Sequence, residues 1–477
     1  MELIALSGQA LALAAILAVV VVLWVTEILP MPVTALAGAV ACVLCGVAPA
    51  KEVFRPFADP LIFLFIGSFM LAEAIRVHGL DRRLAFGLLA TPWVGERPLR
   101  ILAAVAAVSA SISAFISNTA TTAMMTAIVS GILVAIDESA AARAADEPPA
   151  HPRFATALLL CVAFAASIGG LATPIGTPPN VIGLAFIRSE LDVDISFFAW
   201  CLVGVPVTIV LVTTAVAVLA WMFPAGVDRL PGMADYVRAE RRRLGAWTTG
   251  QRSTAVAFGT TVALWVVPGI VSLLLGGRHA WALWLSARIP EGVAALAGAL
   301  LLFVLPGDRR PDGSRPRALL WHEAAGIDWG IILLYGGGMA LGELAFTTGL
   351  AGAIGRGLTG WLPPTSGDAG LVAATALVAV LTSEFTSNTA SANMVVPVAI
   401  ALAQASGGNP LVAGLAATFA ASLGFMMPVS TPCNAIVYGS GRVPLRDMMR
   451  SGLVLDVVGT IVVTLAMIAV GRAWPAG

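Results

Sequence analysis

The residues with chemical reach in this chain come as two copies. Phe115-Ile116-Ser117-Asn118-Thr119-Ala120 recurs as Phe385-Thr386-Ser387-Asn388-Thr389-Ala390. At the same separation Leu64 matches Leu334, Gly67 matches Gly337, Glu73 matches Glu343 and Gly79-Leu80 matches Gly349-Leu350. A second pair follows each copy: Pro174-Ile175-Gly176-Thr177-Pro178-Pro179-Asn180 and Pro428-Val429-Ser430-Thr431-Pro432-Cys433-Asn434. Hydroxyls, carboxamides and bare carbonyls at a chain turn suit a hard cation such as Na⁺, while the amides of a helix N-terminus suit a carboxylate or other anion. One turn can hold both. The four histidines, His78, His151, His279 and His322, fall in loops or at span ends away from these motifs. No general base therefore accompanies the hydroxyls, and the chain is not expected to be an enzyme.

The surroundings of these motifs are apolar. Hydrophobic residues make up 58% of the 477 residues and charged residues 11%, the composition of an integral membrane protein. Apolar stretches recur to the C-terminus, so the first is read as a retained span rather than a signal peptide. Net charge is zero and the basic residues sit in short loops, so nothing points to nucleic acid. Cys42, Cys45, Cys161, Cys201 and Cys433 lie in apolar runs without zinc-like clusters, and Cys42-x-x-Cys45 reads as buried small residues of a helix.

Ten spans are expected, near 8–25, 33–49, 61–76, 155–187, 196–222, 252–275, 291–306, 329–346, 411–437 and 451–471. Two more apolar segments, 99–135 and 370–405, are too long for one crossing of a core about 30 Å thick. If both turn back and the N-terminus is outside, the cytoplasmic loops collect most of the 27 basic residues. These are Arg76, Arg82, Arg83, Arg97, Arg100, Arg143 and Arg153, then Arg229, Arg238, Arg241, Arg242, Arg243 and Arg252, and finally Arg309, Arg310, Arg315, Arg317, Arg442, Arg446 and Arg450. Single crossings would divide them almost evenly. The motif at mid-segment favours re-entrant hairpins over paired spans. Leu23-Trp24 and Ala35-Leu36-Ala37-Gly38-Ala39 also match Leu283-Trp284 and Ala295-Leu296-Ala297-Gly298-Ala299. The fold class expected is thus an all-α polytopic membrane protein of two inverted repeats, each with five spans and one re-entrant hairpin, the two tips meeting near the midplane.

Backbone that leaves a helix in lipid must be buried in protein or line a wet cavity, because freed amides and carbonyls otherwise cost several kcal/mol each. Pro174, Pro178 and Pro179 break the span 155–187 near Gly176-Thr177, and Pro428 and Pro432 break 411–437 near Ser430-Thr431. No Lys or Arg falls in the hairpin cores or proline clusters, so an anion there needs cations and helix dipoles to offset its charge. Glu384 precedes the second motif, but its repeat partner is Ala114, so a structural hydrogen-bonding role is expected of it. Glu73 and Glu343 read as solvated or helix-packing residues near span ends.

At these residues the chain resembles the divalent anion/sodium symporter family, the di- and tricarboxylate and sulfate carriers, over nearly its whole length. The resemblance implies an elevator-type transporter, a homodimer in the inner (plasma) membrane. Its scaffold would be 1–98 and 223–369, and its moving part 99–222 and 370–477. It implies one sodium site at Ser113, Ser117, Asn118 and the Gly176 carbonyl, and another at Ser383, Thr386, Asn388 and Ser430, with Thr386 and Ser430 acting mainly through backbone carbonyls. Substrate carboxylates would meet Asn118, Thr119 and Thr177 from one half and Asn388, Thr389 and Thr431 from the other. The function implied is Na⁺-coupled symport of C4-dicarboxylates (succinate, malate or fumarate), with a di- or tricarboxylate exchanger or a sulfate symporter as the alternatives. Cys433 stands where the family repeats proline, so the second break is expected to be softer, and Ser383 stands where threonine is common, which keeps the hydroxyl and loses a methyl.

Overall fold

The computed structural model describes residues 6–141, 152–359 and 367–473; Arg143 and His151 lie outside the described residues. In chain order the first half holds α1 (Gly8–Thr26), α2 (Met31–Leu44), α3 (Ala50–Val53), α4 (Pro60–Val77) and α5 (Leu80–Leu89). The first hairpin, α6 (Pro98–Ser113) and α7 (Asn118–Ala141), precedes the broken span α8 (Pro152–Gly169) and α9 (Pro178–Leu191), and α10 (Phe197–Met222) follows. Next come α11 (Met233–Arg243), α12 (Thr249–Leu275), α13 (Ala280–Arg288), α14 (Glu291–Leu302), α15 (Trp321–Ala324), α16 (Trp329–Thr347) and α17 (Leu350–Thr359). The second hairpin is α18 (Gly367–Phe385) with α19 (Asn388–Ser406). The broken span α20 (Pro410–Ala420) and α21 (Pro432–Gly439) leads to α22 (Leu445–Ala473). No strand occurs among the described residues.

The two halves are interlaced. α4 packs on α14 and α16 on α2. A Cβ on Gly67 would fall 2.5 Å from the Ala295 carbonyl carbon, and one on Gly337 would fall 2.7 Å from the Ala35 Cβ. Gly67 and Gly337 are repeat partners, as are Ala35 and Ala295, so the third span of each half crosses the second span of the other. Small residues permit this approach, which in lipid replaces the hydrophobic effect as the source of helix association. α1 packs on α2 and α16, while α12 packs on α14 and α4, which makes α12 the spatial counterpart of α1. The Leu283-Trp284 match is therefore corrected: it falls on α13, an added helix bent by 59° from α14.

The remaining helices, α6 to α10 and α18 to α22, pack largely on one another, with α17 also lying closely against α19. α8 is buried along almost all its length, against α6, α7 and α10, and α20 fills the matching position against α18, α19 and α22.

Hydropathy did not reveal α5, α11 and α17, whose charged or glycine-rich composition carries no span signal. They brace the rest. α5 packs on α6 and α17 on α19, so each hairpin has a short helix against one arm. Arg82 pairs with Glu240 at 3.1 Å, and the Arg83 guanidinium donates to the carbonyls of Leu244 at 2.7 Å, Gly245 at 3.0 Å and Ala246 at 3.0 Å, tying α5 to α11. α2 ends at Leu44, short of the expected 49, where Gly46 takes a φ of 70° that a helix cannot continue. Cys42 is buried, as expected, but Cys45 is exposed at the end of α2; both are free thiols.

Replacing Gly67 or Gly337 by Leu will force α4 from α14 or α16 from α2 and cost about 1–3 kcal/mol. The melting temperature of the detergent-solubilised protein will fall for both, and will not fall for Gly87→Leu, where a Cβ meets nothing within 4 Å.

Candidate functional site

Each hairpin turns within a few residues. α6 ends at Ser113 and α7 starts at Asn118; α18 ends at Phe385 and α19 starts at Asn388, with the Ser387 hydroxyl oxygen accepting from the Ala390 amide at 3.2 Å as an N-cap. The span breaks are wider than the expected points near Gly176-Thr177 and Ser430-Thr431: a 3₁₀ turn at Gly170–Ala172 leads into irregular backbone over 173–177, and irregular backbone runs over 421–431. Proline is tolerated in the first turn of a helix, so Pro178, Pro179 and Pro432 start the returning helices instead of kinking the outgoing ones. Pro432 suffices for α21, with Cys433 buried beside it.

A buried carboxamide spans each break. Asn180 Nδ2 donates to the carbonyls of Gly170 and Thr173, both at 2.8 Å, and Asn434 Nδ2 donates to those of Gly424 at 3.1 Å and Met427 at 3.0 Å. These are repeat-equivalent bonds, and both asparagines are fully buried. The sequence displayed both residues as the last letter of the motif; their role becomes visible only when the break is seen to fold back over them.

The second break has an acidic anchor as well. Glu384 accepts from the amides of Met426 at 2.9 Å and Met427 at 3.0 Å and from the Ser430 hydroxyl at 2.9 Å, the structural role expected of it. Asp456, which sequence reasoning missed, accepts from the Phe425 amide at 3.3 Å and lies near the Glu384 carboxylate. The first half has no such acid. There the Thr173 hydroxyl donates to the Ala114 carbonyl. Glu73 and Glu343 lie elsewhere, paired with Arg76 at 2.5 Å and Arg55 at 3.0 Å.

The tips and breaks converge on one cavity of about 390 Å³. Asn118, Thr119, Thr177, Asn388, Thr389 and Thr431 all line it, together with Ser117, Gly176 and Ser430. Ser113, Ser383 and Thr386 are buried behind the wall. No Lys, Arg or His lines the cavity among the described residues; Asp328, unforeseen from sequence, is its charged group. Both tips reach the same cavity, the arrangement expected of hairpins that turn back.

Behind the first tip, oxygens crowd. The inward carboxamide atom of Asn118 lies 2.6 Å from Ser113 Oγ and 3.2 Å from each of the Ala166 and Gly176 carbonyl oxygens. As a nitrogen it donates to all three; as an oxygen it completes a four-oxygen cage that only a cation would hold together. That is the donor set of a hard monovalent ion. At the second tip the serine–asparagine contact recurs: Ser383 Oγ lies 2.7 Å from Asn388 Oδ1, and it lies 2.8 Å from the Ala421 carbonyl oxygen. The Thr386 hydroxyl donates to the Thr382 carbonyl at 2.8 Å, and that of Ser430 is shared among Glu384 and the Met427 carbonyl, so both hydroxyls are engaged within the protein.

The cavity face is the opposite in sign. α7, α9, α19 and α21 all start at it, each N-terminus worth roughly half a positive charge. Thr431 Oγ1 accepts from the Asn434 amide at 3.1 Å, capping α21 at the cavity wall. The arrangement thus offers carbonyl cages for cations behind an amide-lined pocket for an anion.

Asn180→Leu and Asn434→Leu each remove two hydrogen bonds and strand buried carbonyls, and will each cost about 2–4 kcal/mol in thermal or denaturant unfolding. Glu384→Gln will destabilise to a similar degree, because one amide oxygen cannot serve both backbone N–H groups while the new amide nitrogen opposes a donor.

Comparison with known proteins agrees with this architecture. The sodium-dependent dicarboxylate transporter SdcS of Staphylococcus saprophyticus is 30% identical over 445 residues, covering 93% of this chain and 83% of that protein. SdcS of Staphylococcus aureus strain USA300 is 29% identical over 448 residues, covering 93% and 82%. Among solved structures the YdaH transporter of Alcanivorax borkumensis superposes with a TM-score of 0.55 at 13% identity, covering 89% of this chain and 87% of that one. The antimetabolite efflux pump MtrF of Neisseria gonorrhoeae superposes at 0.56, also at 13% identity, covering 89% and 83%; at that identity these two speak for the fold alone. The transmembrane region that defines the sodium:sulfate symporters matches residues 3–475, and with the paired hairpins, paired breaks and shared cavity it makes this chain a membrane transporter of the sodium:sulfate symporter family.

Proposed function

We propose that the protein is a Na⁺-coupled symporter of C4-dicarboxylates such as succinate, malate and fumarate. The observation that carries this reading is the single cavity on which both Ser-Asn-Thr tips and both Thr-Pro breaks converge without a basic side chain. A dianion entering it meets four helix N-termini and the hydroxyls of Thr119, Thr177, Thr389 and Thr431, but no full positive charge. Burial of two carboxylates on dipoles alone would be strongly unfavourable. Na⁺ held by Ser113, Ser117, Asn118 and Gly176, and a second Na⁺ held by Ser383, Thr386, Asn388 and Ser430, supply the missing charge. Asn118 and Asn388 belong to both sets, so each ion's binding organises the other's. The names of the SdcS relatives support the cation and the substrate class.

In this reading residues 1–98 and 223–369 are a scaffold, through which a homodimer forms in the cell membrane, and 99–222 with 370–477 are the moving unit of an elevator. The helix packing supports it: α6 to α10 and α18 to α22 contact one another more extensively than they contact the α4·α14 and α16·α2 crossings. With the basic loops cytoplasmic, the cavity wall at Met31, Pro32, Asp328 and Gly330 belongs to the cytoplasmic ends of α2 and α16, so the state is inward-facing.

Purified protein in proteoliposomes will accumulate labelled succinate when Na⁺ is high outside and will not when K⁺ replaces Na⁺. Excess malate or fumarate will compete, and sulfate and citrate will compete weakly. Uptake that requires internal dicarboxylate and ignores Na⁺ would identify an exchanger instead.

A further inference from the structure

One ion pair crosses between the two bodies among the described residues. Arg188, near the end of α9 in the moving unit, pairs with Asp59, which caps α4 in the scaffold. The clamp is reinforced from the scaffold side: Asp59 Oδ1 accepts from the Leu61 amide at 2.8 Å and from the Tyr335 hydroxyl on α16 at 3.2 Å. The two charged side chains are 28% and 22% exposed, so each is partly desolvated and breaking the pair leaves a charge poorly compensated.

The repeat supplies a second copy of both partners. Arg442 follows Asn434 at the spacing by which Arg188 follows Asn180. Asp328 caps α16 as Asp59 caps α4, one residue out of register with the Leu64 and Leu334 match, and accepts from the Ile331 amide at 3.3 Å. This copy is not joined. Arg442 is exposed and Asp328 lines the cavity, and neither has an ion-pair partner among the described residues.

We propose that Arg188 with Asp59 and Arg442 with Asp328 are alternating latches, the first closed in the state described here and the second closed when the cavity faces the other side of the membrane. The inference rests on the moving-unit reading above. In an inverted repeat, exchanging the conformations of the halves generates the opposite-facing state, so a contact made by one half in one state is made by its copy in the other. The cavity obeys the same rule. It reaches Asp328, where the latch is open, and stops short of Asp59, where the latch is closed. By the charge bias of the loops, Asp59 and Arg188 are on the outer side and Asp328 and Arg442 on the cytoplasmic side.

The full chain in proteoliposomes tests this with two cysteine pairs, Asp59→Cys with Arg188→Cys and Asp328→Cys with Arg442→Cys, each single variant serving as control. Mild oxidation is expected to cross-link both pairs and to stop succinate uptake reversibly. The readout of state is the labelling of Ile331→Cys in the cavity by an impermeant thiol reagent from the cytoplasmic side. Arg188→Gln is expected to lower that labelling rate about tenfold and Arg442→Gln to leave it high or raise it, with Arg188→Lys restoring it. The proposal is overturned if the 328–442 pair never cross-links although the 59–188 cross-link stops uptake, or if neither glutamine variant shifts labelling. Uptake that continues with the 59–188 cross-link formed would overturn the moving-unit reading itself, and the latches with it.

Discussion

The structure depends on how backbone that leaves a helix inside an apolar body is satisfied. Both broken spans lose the regular bonding of their middle residues where water is scarce, and an open N–H or C=O there costs several kcal/mol. The chain answers with side chains placed a few residues downstream. Asn180 and Asn434 each turn back over their own break and occupy two carbonyls. Glu384, reaching across from the hairpin arm α18, accepts from two amides of the second break. What these groups leave free is the useful remainder: a few carbonyls at the back and the helix N-termini at the front.

That remainder divides charge in space. Helix C-termini and breaks turn oxygens toward Ser113 and Asn118 on one side and Ser383 and Asn388 on the other, while the returning helices turn amides into the cavity. A fixed lysine or arginine would bind an anion without any cation and would hold it after the gradient had been spent. In the proposed reading, neutral dipoles bind the anion well only when the cages are filled, which would couple the two fluxes by electrostatics without a separate coupling device.

Much of this was legible in the sequence because the duplication marks it. The hairpins, the breaks and the inversion follow from two motifs repeated in order, and the structure gathers the expected residues around one cavity. The register of the first spans was misread, because Leu283-Trp284 belongs to the added helix α13 while α12 takes the place of α1. Apolar sequence says little about which helix a span will touch. The bracing helices α5, α11 and α17 escaped notice because hydropathy responds to lipid contact, not to clamping. Asp456 and Asp328 escaped because an acid near a helix end is ordinary until its neighbours are known: one meets Glu384 across the break and the other faces the cavity. The crossing of α4 over α14 and of α16 over α2 was written in Gly67, Ala295, Gly337 and Ala35, but a pattern of small residues names no partner.

The central claim is that cations complete the anion site. Equilibrium binding of labelled succinate to the purified protein, followed as NaCl replaces choline chloride at constant ionic strength, tests it most directly. Affinity is expected to rise at least about tenfold with Na⁺ and to do so cooperatively, since two cages share the load. Equal succinate affinity in Na⁺ and in choline would contradict the account.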